Sequence, residues 1–177
     1  MALLQADKIL DTLIEMIERE RSVYNTIIDR YFEGRSLNIF LGRRISLPAS
    51  SLPAIEVTNV STSIGWHACR VQEENPSIEI DITTDNGHPE QAVRLEAQLV
   101  TLTTRILASP PHLRPLIKGS NVWMYDSLPS GVRYGTAEQG RMRVATISWS
   151  GKNLEYISNR LLKYMSDGLF PVDHPPY

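Results

Sequence analysis

The run Pro76-Ser77-Ile78-Glu79-Ile80-Asp81-Ile82-Thr83-Thr84-Asp85-Asn86-Gly87-His88-Pro89-Glu90 decides the fold. Ile78, Ile80 and Ile82 alternate with Glu79, Asp81 and Thr83, and period two puts the isoleucines on one buried face and the polar set in water. Asp85-Asn86-Gly87 is turn chemistry. Pro89 and Glu90 suit a first helical turn, where proline loses no needed N–H and an acid meets the positive end of the dipole. The spacing therefore predicts a strand, a turn, and a helix from near His88 to Leu107. That helix carries Val93, Ala97, Val100 and Leu107 on one stripe and Leu95, Leu99, Leu102 and Ile106 on a second, leaving Arg94, Glu96, Gln98 and Arg105 for solvent. Two stripes cover two neighbours, so one face is expected on the sheet and the other against the N-terminal helix or another subunit.

Upstream, residues 3 to 32 read as one amphipathic helix, with Leu3, Leu10, Leu13, Ile17, Tyr24, Ile28 and Tyr31 at three- and four-residue steps. Unbroken, it would span about 45 Å and overhang its own core. The charged knot at Glu18 to Arg21 interrupts the stripe and predicts a bend. Gly34 ends the helix; residues 37–41 form a short strand, and a loop with Pro48 and Pro53 leads to a strand at 54–58. The type of Ser61 to Gln72 stays open between ragged strand and exposed loop, and Glu73 to Pro76 is read as its close.

Downstream, Ser109-Pro110-Pro111 stops the helix, and 112–118 reads as a short helical piece. Residues 122–126 form a strand broken by Leu128 to Gly131, 132–140 a loop, and 142–149 a last strand whose alternation slips at Ala145, which predicts a bulge or burial on both faces. Gly151-Lys152-Asn153 opens a helical pattern through Leu154, Ile157, Leu161, Leu162 and Met165, followed by a proline-rich tail to Tyr177. The expected fold is one α+β domain over 1–177: a long N-terminal helix (1–32), an α+β core (37–150) and a C-terminal helix and extended tail (151–177). Its sheet is mostly antiparallel, of about four to six strands, packed by the central helix.

A chain of 177 residues buries a core without staples. Its single cysteine, Cys69, forms no intramolecular bridge, which fits a reducing compartment and assembly in a cytoplasm. The start, Met-Ala-Leu-Leu-Gln-Ala-Asp, lacks the layout of a secretory signal, and no apolar run reaches the roughly 18 residues of a membrane span. A formal charge of −2 supplies no basic field for gripping nucleic acid.

His67, His88, His112 and His174 are scattered without metal-ligand spacing. Cys69 beside His67 reads better as a buried thiol than as a nucleophile with its base. No phosphate-binding glycine loop occurs. The expectation is no catalytic, cofactor-binding or metal residue, and no enzyme. Two readings from other classes stay open: a small hydrolase or transferase using Asp81, Asp85 and His88 at a strand end, and a nucleic-acid module using Arg35, Arg43 and Arg44. Trp66, Trp123, Tyr125, Tyr134 and Trp149 read as sheet core first and subunit interface second. Arg141 and Arg143 share one strand face, at a solvated edge or toward a partner.

The order of parts is distinctive: the N-terminal helix, the entry Leu52-Pro53-Ala54-Ile55-Glu56-Val57, the Ile78 to Ile82 strand turning into the 88–107 helix, and late strands at 122–126 and 142–149 with Tyr134-Gly135 ahead of the last. Across about residues 2–150 it resembles the tail terminator, or tail completion (neck), proteins of tailed bacteriophages. The resemblance implies a structural virion protein at the tail–neck junction that forms a ring, usually a hexamer. Its partners would be itself, the tail tube protein, the neck, stopper or connector protein and, in a contractile tail, the sheath, with genome DNA passing through the lumen and no membrane involved. The residues expected at interfaces are Tyr24, Ile28, Tyr31, Trp66, Arg133, Tyr134, Arg141, Arg143, Phe170 and Tyr177. A head–tail stopper or connector ring subunit is the nearest alternative.

Overall fold

The three isoleucines of the opening stretch locate the core. In the computed structural model, which describes residues 3–44, 46–68, 71–108 and 122–156, Ile78, Ile80 and Ile82 lie on β3 (Val71–Asp85), with β2 (Ala54–Ala68) antiparallel on one side and β5 (Met142–Tyr156) antiparallel on the other. Three rows cross the sheet: Ile55 opposite Ile82 opposite Ala145, then Val57, Ile80 and Ile147, then Asn59, Ile78 and Trp149. All the apolar members of these rows are buried. β1 (Asn38–Leu41) adds parallel to β2 at one edge, and β4 (Val122–Ala137) adds antiparallel to β5 at the other. The order is β1-β2-β3-β5-β4.

Helices cover the isoleucine face. α1 (Leu3–Arg19) packs on β1 and β2, while α3 (Pro89–Ala108) packs on β3, β5 and β4 and meets α1 and α2 (Arg21–Asp29) on its other side. The two-neighbour expectation for the central helix is met inside one subunit. α3 buries Ala92, Leu95, Leu99, Val100, Thr103 and Leu107, and leaves Val93 exposed. Glu96, expected in solvent, is 1% exposed, because Arg143 on β5 reaches it from the sheet.

The predicted bend falls at Glu20, between α1 and α2. Glu18 and Arg21 pair across it, and the Arg21 Nη1 donates to the Leu37 carbonyl at 2.8 Å, tying the bend to the segment before β1. Ile9 through Ile28 pack along the core, so no overhang forms there.

The strands are longer than expected because pairing carries them through weak local signals. β2 runs on to Ala68, and Glu73 to Pro76 belong to β3 rather than to a loop. The β3–β5 register runs from Val71 to Glu74 and resumes at Ser77, so the missing N–H of Pro76 falls in a gap of that ladder. β4 passes through Leu128 to Gly131 with two register shifts instead of breaking, and Pro129 is tolerated on an edge strand. The expected loop at 132–140 is strand to Ala137 and then one tight turn, with left-handed backbone at Glu138, Gln139 and Gly140. Ala145 sits in phase with Ile147 and Trp149 without a bulge; Met142 and Val144 simply face the other way, and Met142 joins a second small cluster with Leu47, Leu52 and Ala54.

A helix opening at Gly151 is corrected. β5 extends to Tyr156, since Asn153 to Glu155 pair with both β3 and β4, and two ladders outweigh a helical hydrophobic period. Cys69, the 112–118 piece and the C-terminal segment from Ile157 on lie outside the described residues.

Candidate functional site

The sheet face away from the helices carries the polar alternates of the same strands, and they are not simply wet. Glu56 on β2 and Asp81 on β3 are each 5% exposed, and Thr83 is 3% exposed. The segment after β1 folds over them, because Gly42 takes a left-handed turn and donates its N–H to the Val57 carbonyl at 2.8 Å. That turn delivers Arg43. Its Nε and Nη2 donate to Asp81 Oδ2 at 3.0 and 2.7 Å, and Nη2 also reaches Glu79 Oε2 at 3.0 Å. The hydrogen bonds and charge of Asp81, then those of Glu79, hold the Arg43 guanidinium above its ordinary range. Thr146 on β5 donates to Asp81 Oδ1 at 2.5 Å, the Arg44 N–H donates to Glu56 Oε1 at 2.5 Å, and Arg133 on β4 donates to Glu79 Oε1 at 2.5 Å. Carboxylates and donors thus form one network across four strands.

Above it lies a concavity of about 410 Å³ whose lining includes Arg43, Arg44, Glu56, Asp81, Arg133 and Tyr134. Glu56 and Asp81 are sunk and already engaged, while the groups that reach outward on this face are guanidinium: the Arg43 side chain is 56% exposed and Arg133 71%; Tyr134, 59% exposed, pairs with Ala145 and belongs to the opposite face of the edge strand. Arg44 lies over the Phe40 ring at 4.3 Å. Such an arrangement clamps a loop to a sheet and leaves guanidinium groups at its outer surface.

A second concavity, about 660 Å³, opens at the sheet end among Leu47, Leu52, Asp85, Asn86, Gln139 and Arg141. Asn86 pins the β4–β5 turn, its N–H donating to the Arg141 carbonyl at 2.9 Å and its Nδ2 to the Gly140 carbonyl at 2.8 Å. Asp85 accepts from Arg35 at 3.3 Å and from the Gly87 N–H at 3.0 Å.

Neither a protein-family model nor a curated protein matches the chain. A solved structure does: a chain of the virion of a native gene transfer agent particle is similar at a TM-score of 0.50 and 9% identity, over 82% of this chain and 93% of that one. At that identity the likeness is one of fold.

The structure separates the three residues of the hydrolase reading. Asp81 lines the first concavity against Arg43, Asp85 lines the second against Arg35, and His88 stands exposed at the start of α3, outside both. Among the described residues no cluster of His, Cys, Asp and Glu is placed to hold a metal ion. Of the three arginines of the nucleic-acid reading, Arg35 stands apart at the sheet end on Asp85, while Arg43, in the network, and Arg44, on Phe40, both line the first concavity.

Of the expected interface residues, Tyr24 and Ile28 are corrected. Both are fully buried in the core, because α2 turns its apolar stripe onto α3, and they have no surface to offer a partner. Tyr31 is half-buried and accepts a hydrogen bond from Gln98 at 2.8 Å. Trp66 lies in the β2–β3 hairpin opposite Gln72. Arg143 points under α3 to Glu96 rather than outward. Arg133, Tyr134 and Arg141 are exposed on the β4 side of the sheet. Phe170 and Tyr177 lie outside the described residues. Sequence reading missed the buried carboxylates. A signal was present: Glu56, Glu79 and Asp81 alternate on the polar faces of neighbouring strands, and like charges at that spacing need a cation, which Arg43 supplies.

Proposed function

We propose that the chain is a structural protein of a phage-like virion, a subunit of a tail terminator ring that caps the tail tube, ends its growth and joins the tail to the neck. The observation that carries this reading is the shared fold with a chain of the gene transfer agent virion, which spans 93% of that chain and 82% of this one. The order of elements that resembles tail terminator proteins points the same way.

The work of such a subunit is mechanical. One ring face copies the docking surface of a tube subunit and so stops further addition, and the other offers the neck a different surface. No cofactor, metal or membrane enters the reading. Purified protein is expected to form closed rings, visible by negative stain, and gold-labelled protein to decorate a single end of isolated tail tubes. Labelling along the tube walls, or none at either end, would refute the terminator role.

A further inference from the structure

We propose that copies of this chain join head to tail, the β4 edge of one subunit packing against the acidic outer layer of α1 and α2 of the next. The inference deepens the ring reading and rests on it for closure.

Among the described residues β4 is the outer strand of the sheet, and β5 is the one strand that pairs with it. Its upstream part is blunted by Pro129 and by register shifts at 125/128 and 129/131, but from Gly131 to Ala137 it keeps an unbroken register with β5. An edge of that kind leaves a row of N–H and C=O groups for another chain to cover. Arg133 and Tyr134 stand on this stretch, and these are residue types that dominate interface energetics. Arg133 also pairs with Glu79 on the sheet face while most of its side chain stays exposed. The exposed charge is basic: Arg43, Arg44, Arg133 and Arg141 against Glu138, with the carboxylates sunk beneath.

The complement lies on the other side of the molecule, where α1 packs on β1 and β2. Asp11, Glu15 and Glu20 are exposed there against Arg19, and Asp29 and Glu33 follow against Arg30. Val23, 41% exposed on the same helical layer, offers Tyr134 an apolar contact. Alternative pairings conflict in charge. Extending the sheet through the other edge of the described strands, β1, brings the following Arg43 and Arg44 toward Arg133, and β4 against β4 sets Arg133 and the nearby Arg141 against their own copies. Two unlike patches on opposite sides make a heterologous contact, which closes into a ring or runs on as a filament.

Sedimentation velocity on the full chain, with negative-stain imaging, tests the pairing. R133E/R141E and D11K/E15K are each expected to weaken self-association roughly tenfold or more. A mixture of the two should recover assembly as alternating copies, because each contact then pairs opposite charges, one in the native sense and one reversed, and the chain with all four reversals should recover assembly by itself. D11K/E15K changes only exposed helix positions, so it remains a fair test if freeing Glu79 unfolds the other variant. Rings formed by D11K/E15K as readily as by wild type overturn the pairing while leaving the ring reading intact. Charge-dependent chains that never close support the pairing and overturn the ring. A wild type monomeric at every concentration overturns both.

Discussion

Replacing Arg143 by methionine isolates the charge buried between sheet and helix. The Glu96 side chain is 2% exposed and that of Arg143 22%; Nε and Nη2 both donate to Glu96 Oε2, at 3.1 and 2.8 Å. Glu96 Oε1 has no hydrogen-bond partner among the described residues, so the guanidinium is the main compensation for this carboxylate. Removing one partner of a buried pair typically costs 3–5 kcal/mol, because the other charge is left desolvated. Water can approach along the partly exposed arginine, which places R143M near the low end, about 3 kcal/mol. For a chain of this size that is a fall in melting temperature of roughly 6–12 °C. Replacing both partners by apolar groups of similar volume removes the stranded charge, so E96L/R143M should return to within about 1 kcal/mol of wild type or exceed it. Equilibrium urea unfolding, at concentrations where all variants are monomeric, measures the three values. R143M within about 0.5 kcal/mol of wild type, or a double variant no better than the single, would refute the reasoning.

Tyr24 gives a pH-dependent prediction. Thr103 donates its hydroxyl hydrogen to the Leu99 carbonyl, so the Tyr24 hydroxyl, 2.8 Å from Thr103 Oγ1, is the donor in that pair, and Y24F should cost about 1 kcal/mol. Burial pushes the Tyr24 phenol above its ordinary range; the stability linked to it is complete below the unfolded value of about 10 and is lost as pH rises toward the folded one. Wild type should therefore lose stability more steeply than Y24F above about pH 10, and parallel curves would contradict this. At the β4–β5 turn, Gly140 has a φ of +85° and open space where a Cβ would lie, so G140A should cost about 1 kcal/mol from backbone strain alone, whereas G131A, in equally open space, should stay within about 0.5 kcal/mol in thermal unfolding.

Period-two alternation at Ile78 to Ile82, the Asp85 to Gly87 turn and the two stripes of α3 were legible because hydrophobic spacing is a local property. So were the α+β class and the break before Arg21. The lengths of β2, β4 and β5 were not, because Pro76, Pro129 and Gly151 are local break signals that only neighbouring ladders outweigh. The helical stripe marks Tyr24 and Ile28 as apolar without saying what they meet, and the expected interface gave way to the core because α2 turns onto α3. Arg43 and Asp81, 38 positions apart in sequence, meet only because β1 pairs beside β2 and Gly42 reverses the chain over the open face. The sequence by itself determined which faces must be apolar and where the chain must turn. The tertiary structure alone decided which charges are buried together and which arginines are left facing outward, since that depends on contacts between segments that no local pattern encodes.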